Sequence, residues 1–352
     1  MVRVFVGLSG GVDSAVSAAL LKEQGHDVVG AFIKIWNPDF LECSWKEDRL
    51  DAMRVCVHLG IPFTEIDLSQ EYMREVVGNM IDAYRAGITP NPDVLCNRTI
   101  KFGAFKKWAL AEGADMVATG HYARIGVKEA GENKYALLRA IDTTKDQSYF
   151  LYRLSQDDLR IAQFPIGHLH KKEVRALADK LQLPVSKKPD SQGLCFAGDI
   201  SIPEFLARYI TLEKGAVLDT HGTIIGEHDG AALYTRGQRH GFRTHNNTPH
   251  YVVSADIHTN TLTVSPDKSD TLSHSATLSD VHWIGDAARE GELLDVQSRY
   301  HAPVARATLS REGSIWRAHI AVPELLSPGQ SLVLYRGDEC VGGGIVDNTR
   351  RE

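Results

Sequence analysis

The chain has 352 residues, of which 43% are hydrophobic and 24% are charged, a composition typical of an ordinary soluble protein with two or three domains. A formal net charge of −6 argues against nucleic-acid binding through an overall basic excess, although pairs such as Lys171-Lys172 leave local basic patches open. The five cysteines are widely spaced, which argues against a disulfide framework. The N-terminus shows no leader pattern and no apolar run reaches membrane-spanning length, which argues against secretion and against a membrane protein. Together these features predict a cytoplasmic location.

The first 120 residues alternate between strand and helix patterns. The apolar run at residues 2–8 predicts a buried first strand, and apolar residues at helical spacing over 15–23 predict a helix after it. Further strands are predicted at residues 27–35, 62–66 and 115–119, and further helices at residues 46–59, 70–86 and 102–112. This alternation predicts a doubly wound parallel α/β sheet, in which ligands bind at the carboxyl ends of the strands.

The second half of the chain changes from helical to β patterns. Helices are predicted at residues 156–162, 172–181 and 202–209, and β-hairpin signals separated by Gly, Asp-Gly and Asn turns follow after Lys214. Strands are expected at residues 223–226, 251–254, 261–264, 304–309, 316–322 and 331–335. We therefore expect an α/β domain with a helical extension at residues 1–210, a small β-rich central domain at 211–275 and a C-terminal β-barrel at 276–352.

The turn between the first strand and the first helix carries the strongest functional signal. Gly7 and Leu8 end the strand, and the turn reads Ser9, Gly10, Gly11, Val12, Asp13 and Ser14. Backbone N–H groups at a helix N-terminus bind phosphate, and two glycines let the backbone approach the anion closely. The turn is not a Walker A loop, because its glycines have the wrong spacing and no lysine follows them.

Two of the five cysteines lie on polar loops where a reactive thiol is plausible. Cys96 follows a proline-rich stretch and lies near the expected start of a helix, a location that favours the thiolate. Cys195 lies on a polar, glycine-containing loop. Composition alone leaves both a reactive and a buried role open for these two, whereas Cys56 and Cys340 are expected to be small buried hydrophobic residues.

Ten short strings together carry a resemblance to a known family. The loop at residues 9–14 resembles the PP-loop, Ser-Gly-Gly-x-Asp-Ser, of the ATP pyrophosphatase superfamily, whose members cleave ATP between its α and β phosphates. The chain as a whole resembles the bacterial tRNA-specific 2-thiouridylase family (MnmA type). The matching strings are residues 7–14, 89–97, 118–122, 145–151, 190–196, 226–228, 237–239, 251–253, 299–300 and 328–330.

The resemblance implies an ATP-dependent replacement of the 2-oxygen of uridine 34, the wobble base of tRNA, by sulfur. It implies that ATP, with Mg²⁺, adenylates this oxygen. It also implies that Cys195 carries a persulfide received from a sulfur-relay protein or a cysteine desulfurase, while Cys96 is the nucleophile that closes a disulfide with Cys195. Asp93 is implied as an acid–base or orienting group, although a turn-forming role is the alternative.

The resemblance also implies the substrate-binding residues. For ATP these are residues 7–14, Ile33 and Gly120; for the target base and the anticodon loop they are Asn91, Pro92, Asp93, His121, Lys145, Asp146, Gln147, Arg299, Tyr300 and Gln330. The base must leave its stack to react, which a single-stranded loop permits. From the residues alone, Ile33 could equally belong to the sheet core, Lys145 to the solvated surface and Tyr300 to the barrel packing.

Several alternatives stay open at this point. No cysteine or histidine spacing predicts a metal site, and an iron–sulfur cluster would need Cys96, Cys195 and a third ligand. Residues 241–250 depart from the expected pattern, which leaves tRNA contacts there undefined. The competing functions are a PP-loop enzyme that adenylates a small metabolite for amidation, a thiolase acting on another tRNA base, and a non-catalytic RNA-binding protein.

Overall fold

The protein is described here by a computed structural model that covers residues 1–40, 45–128, 134–190, 200–245 and 248–351. Its N-terminal part is built on a parallel sheet, as the sequence predicts. The strands of this part are β1 (Arg3–Leu8), β2 (Asp27–Lys34), β3 (Phe63–Asp67), β4 (Met116–Ala118), β5 (Arg124–Val127), β6 (Tyr135–Leu138) and β7 (Ala162–Gln163). Five of them form the sheet in the order β3-β2-β1-β4-β7, with every neighbouring pair parallel. The central β1 is an apolar run because both of its faces are covered by helices.

Ten α-helices are described, and two π-helical segments join some of them. The α-helices are α1 (Val12–Glu23), α2 (Trp45–Leu59), α3 (Ser69–Tyr72), α4 (Asn79–Arg85), α5 (Pro92–Leu95), α6 (Lys106–Ala111), α7 (Ser148–Leu151), α8 (Gln156–Ile161), α9 (Lys171–Lys180) and α10 (Ile202–Leu206). The π-helical segment Met73–Gly78 joins α3 to α4, and Cys96–Phe105 joins α5 to α6. Within the described ranges, no helix has the length and apolar character needed to cross a membrane.

The helix that contains Cys96 begins ten residues earlier than the sequence predicts. Asn91 keeps an extended backbone, as expected for a residue before proline, and its side-chain oxygen accepts a hydrogen bond of 3.3 Å from the Val94 N–H. Pro92 then occupies the first helical position, where its fixed φ favours a helix and its missing N–H costs nothing. The prediction that this helix begins at residue 102 was therefore wrong.

The central β domain consists of five strands around a small apolar core. They are β8 (Gly215–Leu218), β9 (Ile224–His228), β10 (Phe242–Thr244), β11 (Tyr251–Asp256) and β12 (Thr261–Ser265), in the sheet order β10-β9-β8-β12-β11. Val217, Val252, Leu262 and Val264 are fully buried in its core. The three strands expected in this region are confirmed.

The C-terminal part forms a six-stranded antiparallel barrel. Its strands are β13 (Ser273–Trp283), β14 (Leu293–Gln297), β15 (Ala305–Glu312), β16 (Ile315–Glu324), β17 (Ser331–Arg336) and β18 (Glu339–Arg350). The order is β13-β16-β15-β14-β17-β18, and pairing of β13 with β18 closes the barrel. Closure removes the unpaired edges that an open sheet would expose.

The sequence did not predict that the N-terminal and C-terminal parts share a sheet. The hairpin β5–β6 leaves the parallel sheet and pairs with the start of β18, where Leu137 lies opposite Cys340. Tyr335 and Cys340 of the barrel belong to the same buried cluster as Tyr149 and Tyr152 of the N-terminal part. The barrel is therefore held against the parallel sheet by both backbone pairing and a common core.

Candidate active site

The glycine-rich turn lies between β1 and α1, as predicted. Gly11 is the N-cap residue of α1 and has no side chain to cap it, so the N–H groups of the first helical turn can serve an anion. Gly10 has φ +73°, and a Cβ there would lie 2.8 Å from the Cα of Asp48. The hydroxyls of Ser9 and Ser14 lie 3.2 Å apart and hold the turn closed. The turn thus has the N–H donors that a phosphate group requires, and glycine at position 10 lets it pack closely against Asp48.

The ends of β2 and β4 converge on this turn. Gly120 follows β4, and a Cβ added to it would lie 2.7 Å from the backbone nitrogen of Ser14. A Cβ on Gly7 would lie 3.7 Å from Cδ1 of Ile33, so the half-buried Ile33 side chain lies beside the end of β1. The structure therefore brings together all three segments predicted to bind ATP, while the binding itself stays a prediction.

An ion-pair network surrounds Asp13 in the first turn of α1. The Lys171 ammonium donates to both carboxylate oxygens of Asp13, at 2.8 and 2.9 Å, and the Tyr122 hydroxyl donates to one of them at 2.9 Å. Lys171 also lies 2.8 Å from a carboxylate oxygen of Asp190, whose other oxygen is 3.1 Å from the ammonium of Lys145. Burial alone would raise the pKa of Asp190, but its hydrogen bonds with Lys171 and Lys145 outweigh this and hold it well below its usual range. Asp190 is consequently a fixed negative charge.

The helix after Asn91 carries Asp93 and Cys96 on its first two turns. Cys96 is buried, with 6% of its surface exposed. Burial raises the pKa of the Asp93 carboxyl, and the positive charge of Lys101 partly opposes this rise. Cys195 lies outside the described residues. The structure therefore locates one of the two predicted reactive cysteines.

The half-buried Lys101 and the buried His121 form a polar pair, and the charge of Lys101 also acts on Asp93. The Lys101 ammonium lies 3.3 Å from Nε2 of His121, and Nδ1 of His121 lies 2.7 Å from the Thr119 hydroxyl. Burial and the charge of Lys101 both lower the pKa of His121 well below its usual value, so the ring is neutral. An ammonium can only donate, so Nε2 accepts from Lys101 and Nδ1 carries the proton that is donated to Thr119.

Residues 145–147, predicted to contact tRNA, are held in place by hydrogen bonds with other parts of the chain. The Asp146 carboxylate is buried and accepts hydrogen bonds from the backbone N–H groups of Ala140 and Ser148. The side-chain oxygen of Gln147 accepts a 3.0 Å hydrogen bond from the Tyr122 N–H. These contacts position Tyr122 next to Asp13. Whether the segment also touches tRNA stays a prediction.

The predicted tRNA-binding residues of the barrel are in two different environments. The Gln330 amide donates to the carbonyls of Thr89 and Pro90, at 2.8 and 3.1 Å, so it holds the segment that leads into the Cys96 helix. The Tyr300 ring packs against Phe150, with centroids 4.5 Å apart, and burial together with nearby carboxylates raises the pKa of Tyr300 to about 12. Arg299, in contrast, is exposed.

Family comparisons cover almost the whole chain. Profiles described as a tRNA methyl transferase HUP domain, a tRNA methyl transferase PRC-barrel domain and an aminomethyltransferase beta-barrel domain match residues 2–199, 203–266 and 273–346. A protein named tRNA-specific 2-thiouridylase MnmA from Janthinobacterium sp. (strain Marseille) is 42% identical over 364 residues, which cover 99% of this chain and 98% of the relative. The chain belongs to the tRNA-specific 2-thiouridylase family.

Two further members of the 2-thiouridylase family match at similar levels. The one from Herminiimonas arsenicoxydans is 43% identical and covers 98% of this chain and 97% of the relative. The one from Streptococcus thermophilus (strain ATCC BAA-491 / LMD-9) is 42% identical and covers 99% of this chain and 96% of the relative. The matched profiles and the full-length relatives differ in the group that their names transfer. The relatives decide, because each one aligns by itself with at least 98% of this chain at 42% identity or more.

Sequence reasoning missed three residues at the site of this 2-thiouridylase family member. Tyr122 and Lys171 reach Asp13 from sequence separations of 109 and 158 residues, which no local pattern could reveal. Lys101 lies five residues after Cys96 in the π-helical segment, a spacing that the usual 3.6-residue helix period does not place on one face. Among the described residues, no group of three or more His, Cys, Asp or Glu side chains could hold a metal ion.

Proposed function

We propose that this chain thiolates C2 of uridine 34 in tRNA, using ATP to activate the 2-oxygen. Membership of the 2-thiouridylase family over the full length of the chain is the observation that carries this proposal. The link between the anion-binding turn and the helix that bears Asp93 and Cys96 supports it, because activation and sulfur delivery must occur at one carbon. Gly120 packs against Ser14 of the turn, and the next residue, His121, lies 3.3 Å from Lys101. An amide-like oxygen is a poor leaving group, and ATP supplies AMP as a better one.

The turn at residues 9–14 would hold the phosphates of ATP. Its N–H groups and the positive end of the α1 dipole stabilise an anion. Gly10 lets the turn pack against the Asp48 backbone, and Gly120 packs against the Ser14 backbone of the turn, where a Cβ at either glycine would clash. Ile33 would contact the adenine from the end of β2. Asp13, the one carboxylate of the turn, would be the protein ligand of a Mg²⁺ ion. Phosphate oxygens and water would supply most of the other ligands of this ion.

Asp93 and the two cysteines would carry the sulfur chemistry. In this scheme a terminal persulfide sulfur on Cys195 bonds to C2 as AMP departs. The Cys96 thiolate then attacks the Cys195 sulfur, which releases the thiocarbonyl and leaves a Cys96–Cys195 disulfide. A thiol reductant must open this disulfide before the next turnover. Asp93, whose pKa is raised by burial, is suited to moving a proton during these steps.

The partners follow from this chemistry. The substrate is the anticodon loop of a tRNA, whose uridine 34 would be splayed towards Asn91, Pro92 and Asp93. The persulfide would come from a sulfur-relay protein or a cysteine desulfurase, and the enzyme would work in the cytoplasm, where tRNA is found. The exposed Arg299 would contact the tRNA backbone from the barrel.

The decisive experiment is nucleoside analysis of total tRNA from cells that lack this protein. We expect 2-thiouridine to disappear, and to return when the unaltered chain or the control variant Cys56→Ala is supplied. Cys56 is equally buried but belongs to a cluster on the other face of the sheet. We expect Cys96→Ala to fail to restore the nucleoside, although it accumulates as a folded protein.

Two outcomes would contradict the proposal. Unchanged 2-thiouridine in the deleted cells would remove the main function. Full activity of Cys96→Ala would favour the alternative enzyme that adenylates a small metabolite for amidation, since a nitrogen nucleophile needs no reactive cysteine.

A further inference from the structure

The nucleotide turn has no cation of its own, and the fold supplies one from α9. Residues 9–14 contain no lysine or arginine, yet the Lys171 ammonium lies within 2.9 Å of both carboxylate oxygens of Asp13 in the first turn of α1. Phosphate sites commonly combine backbone N–H groups with such a charge. Lys171 therefore supplies, next to the turn, the positive charge that residues 9–14 do not contain.

Lys171 is held rigidly at this place. Only 15% of its side chain is exposed, and its backbone N–H donates to the Asp142 carboxylate at 2.9 Å, which fixes the start of α9. Its ammonium also lies 5.8 Å from the centre of the Tyr122 ring. A charge that is partly shielded from water and fixed in advance interacts more strongly with an incoming anion than a mobile surface lysine does.

The two carboxylates that hold Lys171 do not depend on it equally. Asp13 has Lys171 and the Tyr122 hydroxyl as partners, whereas Asp190 also has Lys145 and Arg175. Asp190 can therefore keep two cations if Lys171 turns to another anion. Asp13 would be freed to bind a Mg²⁺ ion that accompanies the phosphates.

We propose that Lys171 is the phosphate-binding cation of the nucleotide site and donates to a phosphate oxygen of ATP in place of one oxygen of Asp13. This proposal depends on the proposed use of ATP. In this proposal Lys171 has the electrostatic role that the lysine of a Walker A loop has in other nucleotide-binding proteins. Unlike that lysine, Lys171 is not part of the loop, since it lies 158 positions after Asp13 in the chain.

The test is a direct binding measurement on the full-length protein by isothermal titration calorimetry, with Mg²⁺, using ATP and, separately, adenosine. We expect Lys171→Met to weaken ATP binding at least about tenfold while adenosine binding changes less than about twofold. Lys171→Arg should recover part of the loss, because it restores the charge. Lys172→Met is the matched control: it removes the neighbouring, exposed lysine, and ATP binding should stay within about twofold of the unaltered protein.

The outcomes separate this proposal from the one on which it depends. ATP binding by the unaltered protein supports the use of ATP, and its absence would overturn that use and not merely the assignment of Lys171. Equal loss of ATP and adenosine affinity in Lys171→Met would show a structural role and overturn the assignment. Unchanged ATP affinity in this variant would overturn it as well. A thermal unfolding midpoint near that of the unaltered protein confirms that the variants are folded.

Discussion

At the scale of single residues, the site combines groups whose charges are fixed by burial and by their neighbours. His121 is neutral and its tautomer is set, since Lys101 donates to one ring nitrogen and Thr119 accepts from the other. Asp93 is pulled in two directions, because burial raises its pKa and Lys101 lowers it. Lys101 thus acts on both predicted site residues at once.

The opposing effects of burial and Lys101 on the pKa of Asp93 predict that the pH dependence of the thiolation rate changes in Lys101→Met. Removing the charge in Lys101→Met should raise the pKa of Asp93 further, since only the burial effect remains. If catalysis needs the carboxylate, activity is lost as the pH falls through this pKa, so the acidic limb of the pH–rate profile should move to higher pH. Tyr300 also interacts electrostatically with Asp93, and its phenol is protonated at physiological pH. The measurement is the thiolation rate between about pH 5 and 9.

The control for this variant is Lys107→Met, which removes an exposed lysine from the same helix. Its profile should coincide with that of the unaltered enzyme. A uniform loss of rate in Lys101→Met, with the acidic limb unmoved, would mean that Lys101 does not control the ionisation of Asp93.

Site residues could be predicted from the sequence where they are adjacent in the chain, and could not where only folding brings them together. The nucleotide turn could be identified because six consecutive residues carry the anion-binding geometry. Lys171 and Tyr122 could not be assigned, because only the folded sheet brings them to Asp13. Cys195 lies outside the described residues, so its role remains a prediction.

At the scale of elements, the start of the Cys96 helix has direct functional consequences. Asn91 caps α5 through a 3.3 Å hydrogen bond to the Val94 N–H, and Pro92 begins the helix. The segment Cys96–Phe105 that follows is wound as a π-helix, with i→i+5 hydrogen bonds. The alternation of strands and helices was predictable from apolar periodicity, whereas this winding was not, because the periodic templates assume 3.6 residues per turn.

The cap can be tested with a matched pair of variants. Asn91→Ala should cost about 1 kcal/mol of stability through the loss of its capping hydrogen bond. It should also lower thiolation several-fold, because the first turn carries Asp93 and Cys96. Ser201→Ala removes the same kind of cap from α10, where the Ser201 hydroxyl accepts from the Glu204 N–H at 3.3 Å, and should cost similar stability.

The measurements are the thermal unfolding midpoint and the thiolation rate of both variants. They show whether the Asn91 cap affects activity beyond its effect on stability. Activity should fall more in Asn91→Ala than in Ser201→Ala at a comparable loss of stability. Equal losses of activity would indicate that only overall stability is affected.

At the scale of the whole molecule, the barrel supports the segment that leads into the Cys96 helix. Gln330 donates to the carbonyls of Thr89 and Pro90. Gly329, with φ +88°, lies so close that a Cβ would meet the Ile88 side chain and approach the Thr89 oxygen to 2.7 Å. The sequence could suggest the three-part division from its change of pattern. The two Gln330 contacts join residues 241 and 240 positions apart, and they have no local signature.

This contact predicts a difference between two glycine substitutions. Gly329→Ala should strain the backbone and also push the segment of Ile88 and Thr89 away, lowering activity at least several-fold. Gly291→Ala carries the same backbone strain at φ +77°, but a Cβ there has no neighbour within 4 Å. It should therefore cost stability with little effect on thiolation. Steady-state kinetics with tRNA on both variants tests this, and equal kinetics would show that the barrel contact does not position the Cys96 helix.

The pairing of β6 with β18 has a consequence for the order of events during synthesis. β18 follows every other described strand in the chain, yet it both closes the barrel and carries the hairpin that extends from the parallel sheet. A ribosome-bound chain must therefore keep the β5–β6 hairpin without its partner until translation has passed residue 340. A transcript cut short before that point would yield a polypeptide in which β6, β13 and β17 each keep an open strand edge. Chaperones and proteases would intercept such a polypeptide before it could compete for tRNA.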